Sequence, residues 1–415
     1  MGRKFIIPML LIIIALIIPA IVESEENCSV CSGKKIDNIL HVSLTADGNL
    51  IAAGSPESGI ICLLDKDGNV LWSYGTGNNI TGISISDDGN YIAATTFCGD
   101  LYFFSGKGDL LWQKVILGCN NRVELSGDGQ TGYVFADSTT NGMLNGEYYE
   151  RRPQNVCHFD RNGTIYWHKN IPAFDSSISS DGKYFVSNSI GNGHSLVSLY
   201  SDDGTRLWEY QAYMYVMGIS ISEDADTIAA NVRRTPLVVL DINGDILWQI
   251  KPKYMMESVA VSPDGNFIAA GTQYKLLYYN RAGDLLWEYD TDDYIRDIAI
   301  SEDGRYLAGK YQDDVCFFDG FGELLWKRPV EDGIGSLTIS GIGMTVAVGT
   351  ENNSVCLFDN SGNSTVIYLD DIPVNPLPDP VCESGSVCPP PTESASLSFL
   401  PVFVALFILG FLFRK

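Results

Sequence analysis

Four histidines, His41, His158, His168 and His194, are the side chains of this 415-residue sequence suited to ordinary proton transfer near neutral pH, and ten cysteines are its candidate thiol nucleophiles or soft ligands. None of the histidines stands in a motif that would supply a nucleophile or a metal. There is no H-E-x-x-H, no phosphate-cradling glycine loop and no EF-hand loop. His158 falls in an apolar strand pattern and His168 follows a tryptophan, so structural roles are expected for both. Cys28 and Cys31 form a lone C-x-x-C without a second pair or a nearby histidine, which is not a zinc signature. The expectation is a protein with no catalytic residue, no bound cofactor and no metal.

The tryptophans carry more information. All seven, Trp72, Trp112, Trp167, Trp208, Trp248, Trp287 and Trp326, end the same motif, D-x-x-G-x-x-x-W, as in DKDGNVLW from Asp65 or DINGDILW from Asp241. An eighth copy from Asp359, DNSGNSTV, lacks the Trp. The motif glycines are 39 to 41 residues apart except at the third unit, where the step is 55. A second motif, S-x-D-G-x-x-I-A-A-G, precedes each copy by about 20 residues, as in SPDGNFIAAG from Ser262. Repetition at such a period marks one supersecondary unit used eight times.

Within a unit the apolar alternation predicts four short strands, in the sixth Met256 to Ser262, Asn266 to Gly271, Leu276 to Asn280 and Asp284 to Tyr289, separated by Asp-Gly and x-x-Gly turns. No period of 3.6 appears between residues 40 and 371. Third strands such as DLYFF and KLLYYN are apolar nearly throughout, so each must be covered on both faces by neighbouring units. Closing the units around an axis leaves few exposed strand edges. The fold expected is all-β, an eight-bladed β-propeller of four-stranded antiparallel blades spanning 40–371. S-x-D-G-x-x-I-A-A-G resembles the inner strands of WD-repeat proteins, and D-x-x-G-x-x-L-W resembles the tryptophan-docking motif of pyrroloquinoline-quinone-type propellers. That resemblance implies that the seven tryptophans dock each blade on the next. It also implies an alternative function, a quinone-dependent oxidoreductase, whose vicinal cysteine pair and calcium-binding acids have no counterpart here.

The ends read differently. Arg3 and Lys4 precede an apolar run from Phe5 to Val22, an export signal or anchor over residues 1–24, followed by a lead over 25–39. Residues 372–396 are a Pro-rich stalk, and 397–415 an apolar segment closed by Arg414 and Lys415, short for a bilayer span and oriented with its basic end inside. This tail resembles that of archaeal surface proteins with C-terminal sorting signals, although their Pro-Gly-Phe signature is absent. The propeller is therefore expected outside the cell, membrane-anchored and monomeric. Five N-x-[ST] sequons, at Asn27, Asn79, Asn162, Asn352 and Asn363, become candidate glycosylation sites there.

Cys62, Cys157, Cys316 and Cys356 each lie six residues before a motif glycine and are expected as buried small hydrophobes. Cys98 and Cys119 are assigned to blade two, and oxidised pairs suit an exported protein. A formal net charge of −24 would repel nucleic acid. The Asp-Gly turns look short and uniform, so the face they build is expected to be monotonous. The opposite face receives the variable loops ADSTTNGMLNGEYYERRPQN (136 to 155), NSIGNGHS (188 to 195) and NVRRTP (231 to 236), with the connections YQAYMYVMG and KPKYMMES. Tyr, Met and Arg are the residues that interface cores favour. Tyr148, Tyr149, Arg151, Arg152, Arg233 and Arg234 are the candidate contacts for a protein or glycan partner.

Overall fold

The computed structural model describes residues 40–373, apart from 98, 117–118, 138–142, 145–146, 149–154, 192–193, 213, 233–236, 252 and 292. Eight four-stranded antiparallel sheets follow one another along the chain: His41–Gly75, Ile80–Val115, Cys119–Lys169, Ser176–Ala212, Val216–Ile250, Met256–Asp290, Ile295–Pro329 and Ile334–Tyr368 are blades one to eight. In blade six the strands are Met256–Val261, Phe267–Thr272, Lys275–Asn280 and Leu285–Asp290, each within one residue of the alternation reading. A two-stranded ribbon, Met143–Leu144 with Glu147–Tyr148, sits in the blade-three insertion. Cys119 opens the inner strand of blade three, paired with Asp137, and so belongs to that blade rather than to blade two.

Third strands such as Ile60–Asp65 and Lys275–Asn280 are buried along nearly their whole length, as blades packed on both faces require. Cys62, Cys157, Cys316 and Cys356 lie buried at equivalent places on these strands with their thiols free. Burial raises the Cys62, Cys157 and Cys316 thiols to about 12, which leaves them un-ionised at neutral pH.

Each tryptophan docks on the following blade by the same geometry. Its indole N–H donates to the carbonyl two residues before the next motif glycine: Trp72 to Gly106, Trp112 to Arg161, Trp167 to Asp202, Trp208 to Ile242, Trp248 to Arg281, Trp287 to Gly320 and Trp326 to Asn360, at 2.7–3.2 Å. The indole also needs that glycine. At Gly283, with φ +88°, an added Cβ would lie 2.8 Å from Cγ of Trp248. A β-bulge aims the ring: Leu63 pairs with Trp72 and Leu64 with Val70, so that one outer-strand residue is unpaired, and the same shift recurs in blades two to seven.

Blade eight has neither the Trp nor this outer-strand bulge. Its outer strand pairs in unbroken register, Leu357 with Thr365 and Phe358 with Ser364, so Thr365 stands where the other blades place the indole. Thr365 and Ile367 meet Gly68 of blade one, while Val366, at the Trp position of the motif, is 47% exposed. This seam is closed by other means. The chain after the last strand turns through a short 3-10 helix, Leu369–Asp371, and packs Leu369 and Ile372 among Leu40, Ile60, Cys62 and Leu64. Ser73 donates to the Pro373 carbonyl at 2.7 Å and Leu40 N–H to Thr350 O at 3.3 Å.

A ring of main-chain hydrogen bonds encircles one mouth of the central channel. Ala46, Asp87, Gly127, Ser180 and Glu223 each donate to the residue one blade on, Asp264 donates to Glu302, Glu302 to Gly341, and Ile342 back to Ala46, all at 2.7–3.2 Å. The propeller is thus closed by backbone as well as by side chains.

Candidate functional site

The ring face is built from turns whose acids are structural. In blades one to seven the motif aspartate, Asp47, Asp88, Asp128, Asp181, Asp224, Asp264 or Asp303, accepts from the preceding Thr or Ser hydroxyl and from the backbone N–H two residues on. In the outer turns Asp65, Asp160, Asp241, Asp319 and Asp359 each accept from the backbone N–H groups two and four residues on. Much of the acidic excess is therefore turn chemistry. Asp87, Glu223 and Glu302 are different, because they project from the hydrogen-bonded ring at the channel mouth. Burial, then the Glu302 charge, raises the carboxyls of both Asp87 and Glu223. No ion pair among the described residues includes any of the three.

Deeper, the inner strands line the channel with a few charges. Arg122 pairs with Asp175 at 3.1 Å and reaches Ser176, and their side chains stay 40% and 32% exposed. Ile178 N–H donates to Glu124 and Ile219 N–H to Asp175, so these carboxylates stitch adjacent inner strands. Burial pushes Glu124 up to about 7 against the opposing Arg122 charge, and pushes Asp297 up to about 6. Burial, then Arg122, holds His41 down at about 4. No group of three His, Cys, Asp or Glu among the described residues is arranged to hold a metal ion.

His158 is a packing residue. Its ring stacks on Tyr133 at 4.4 Å, lies 5.6 Å from Trp167, and shares a 2.5 Å hydrogen bond with the Thr131 hydroxyl. Burial lowers its pKa.

The sequence pattern assigns the candidate partner contacts to the opposite face. Tyr148 is on the second strand of the insertion ribbon. Tyr149, Arg151, Arg152, Arg233 and Arg234 lie outside the described residues, as do Cys28, Cys31, Cys98, Cys382 and Cys388, Asn27, and the apolar segments 5–22 and 397–413. Among the described residues no helix is long and apolar enough to cross a membrane. Among the described residues of this face, exposed large hydrophobics lie in the connections entering blades four and five, on the inner strand of blade five and in a hairpin turn of blade six. Phe174, Met214, Tyr215, Met217 and Tyr274 are all exposed large hydrophobics, Tyr215 by 54%. Tyr254 meets Tyr274 edge-on at 5.0 Å, and the Lys253 ammonium lies 5.0 Å from the Tyr254 ring centroid. Met214, Tyr215, Met217 and Tyr254 fall in the two connections named from the sequence for their Tyr and Met content, whereas Phe174 and Tyr274 lie outside them.

The ring face is not uniform, contrary to the expectation from its turns. In blade eight the motif aspartate is replaced by Ile342, 53% exposed, and the residue after the glycine is Met344. In blade seven the outer turn carries Phe321, 91% exposed. Two grooves of about 550 Å³ each meet there, sharing Asp303, Arg305 and Tyr306. The signal was present in the sequence as three departures at turn positions where the other blades carry polar residues or alanine.

A family model, PQQ_2, described as outer membrane protein assembly factor BamB, matches residues 34–210. No curated protein matches the chain. Among solved structures the chain is similar to Chaetomium thermophilum Sqt1 bound to the N-terminus of the ribosomal protein L10, at 15% identity over 78% of this chain and 97% of that one, TM-score 0.62. The C-terminal WD40 domain of Sif2 is similar at 15% identity, 81% and 97% coverage and TM-score 0.62. Saccharomyces cerevisiae Sqt1 is similar at 12% identity, 80% and 96% coverage and TM-score 0.59. At such identities the likeness is one of fold. Eight antiparallel four-stranded blades, seven tryptophan docks and these comparisons make the chain a β-propeller repeat protein.

Proposed function

We propose that this protein is a non-catalytic binding and scaffold module that presents the loop face of blades three to six to a protein partner. The observation that carries the reading is the exposure of five large apolar side chains, Phe174, Met214, Tyr215, Met217 and Tyr274, on the loop face of blades four to six. Monomeric surfaces seldom leave large apolar side chains grouped in this way unless a partner covers them. A rigid scaffold with variable loops is also the usual setting for recognition. Tyr148, Tyr149, Arg151, Arg152, Arg233 and Arg234 extend the contact surface in this reading, the arginines meeting carboxylates of the partner. A bound protein segment in one similar propeller, Sqt1 with the N-terminus of ribosomal protein L10, is in keeping with it.

In the same reading the first residues direct export, the stalk and the segment 397–413 tether the monomeric ring at the outer face of a membrane, and the sequons carry glycans. Capture from extracts of the native cells tests the function. The full-length protein should retain a defined partner, and Tyr215→Ser with Met217→Ser, or deletion of 138–152, should release it with melting unchanged. Unaltered capture by both variants would refute the loop-face site. Capture that survives proteolysis of the extract would replace the protein partner by a glycan.

A further inference from the structure

The ring face departs from its own repeat at one place, independently of the loop-face reading. Eight copies of one turn provide their own control. The position before the motif glycine is aspartate in seven blades and Ile342 in the eighth. The position after it is Asn49, Asn90, Gln130, Lys183, Asp226, Asn266 and Arg305 in the first seven blades and Met344 in the eighth. The corresponding outer-turn position is polar or alanine everywhere except Phe321. Nothing in the fold calls for the three apolar residues. Tyr306 already packs beneath the blade-eight turn, where a Cβ on Gly343 would lie 2.3 Å from its ring, and Ile342, Met344 and Phe321 point outward.

The three converge on the paired grooves. Ile342 and Met344 share one groove with Asp264, Glu302 and Asp303, and Phe321 lines the next with Leu286 and Trp287. Glu302 links this apolar edge to the channel mouth, where Asp87 and Glu223 stand on the same hydrogen-bonded ring. Arg305, which lines both grooves, is held by Asp303 at 3.1 Å, which leaves Asp264 and Glu302 without an ion pair among the described residues. Like charges gathered without a counter-charge, beside an exposed apolar edge, fit a guest that is both cationic and apolar.

We infer that the grooves of blades six to eight dock an extended basic peptide segment, an apolar side chain of the segment seating against Phe321, Ile342 and Met344 while its lysines or arginines reach Glu302, Glu223 and Asp87. The raised carboxyls of Asp87 and Glu223 agree with this, since a bound cation would relieve the repulsion that raises them.

The test is fluorescence anisotropy with the full-length protein and a short labelled peptide alternating lysine and leucine. The comparison variant is F321N/I342D/M344N, which installs residues that other blades carry at these positions. It is expected to melt no lower than the parent and to bind about tenfold more weakly, the loss typical of a removed apolar anchor. E302Q with D87N and E223Q is expected to flatten the salt dependence of binding. Binding unchanged by the triple apolar replacement would overturn the proposal. So would equal binding of a glutamate–leucine peptide, which would mean apolar adhesion alone, or of a lysine–serine peptide, which would mean bulk acidity alone. A fall in sedimentation coefficient on making the triple variant would instead assign the patch to contacts between copies of the chain. If that variant fails to fold, F321N alone, at a fully solvated turn, carries the same comparison.

Discussion

At the scale of single residues, a tryptophan in this ring does three things: it covers its own third strand, it fills the space above the next blade's glycine, and its N–H satisfies a carbonyl there. Trp326 does all three, buried, stacked on Phe317 at 4.9 Å and 5.3 Å from Phe358. Trp326→Ala should cost about 4 kcal/mol, the range of buried aromatic deletions. Trp248→Phe keeps most of the ring contact and loses the bond to the Arg281 carbonyl, which should cost about 1 kcal/mol. Denaturant melts measure both, and equal costs would contradict the division between packing and hydrogen bonding. Glu124 offers a test through pH. Its folded-state pKa, about 7, lies above the unfolded carboxyl value, so the folded state holds a proton that the unfolded state has lost. Its contribution is therefore favourable at low pH and disappears as pH rises through 7. Glu124→Gln should then stabilise relative to the parent by about 1 to 2 kcal/mol more at pH 8 than at pH 5, after allowance for channel water. The same difference at both pH values would mean that Glu124 ionises normally.

At the scale of the element, the departures from repetition are where energy and function have been redistributed. The motif alone suggests that Val366 is a degenerate docking residue. Register shows otherwise, because without the bulge Thr365 takes the docking place and Val366 turns to solvent. The seam between blades eight and one relies on Leu369 and Ile372 instead. Leu369→Ala should cost about 3 kcal/mol although it lies beyond the last strand, and Val366→Ala less than about 0.5 kcal/mol. Thermal melts of the two variants decide this, and a larger effect at Val366 would contradict the register. The strands, turns and docking roles were legible from the sequence because alternation, Asp-Gly turns and the tryptophan spacing act locally and recur eight times. The bulge, the latch after Tyr368 and the convergence of Phe321, Ile342 and Met344 were not, since each depends on how residues from different blades meet. The loop-face residues were half legible: Tyr and Met in the connections named the face, but exposure singled out Tyr215 and Met217 within it.

At the scale of the whole molecule, the ring divides labour between its faces. One face is a hydrogen-bonded rim whose aspartates hold their own turns. The other exposes Phe174, Met214, Tyr215, Met217 and Tyr274 along blades four to six. The channel between them is lined by carboxylates that tie neighbouring inner strands, Glu124 to Ile178 and Asp175 to Ile219, so the blades form a stiff platform. In the proposed reading, this stiff ring holds a partner against its exposed loop face. The direct test places a photo-crosslinking amino acid at Tyr215 and, on the opposite face, at Asn243, in the full-length protein expressed in its native cells. The account predicts one discrete adduct from Tyr215 and none of the same mass from Asn243. No adduct at Tyr215, or the same adducts from both positions, would contradict it.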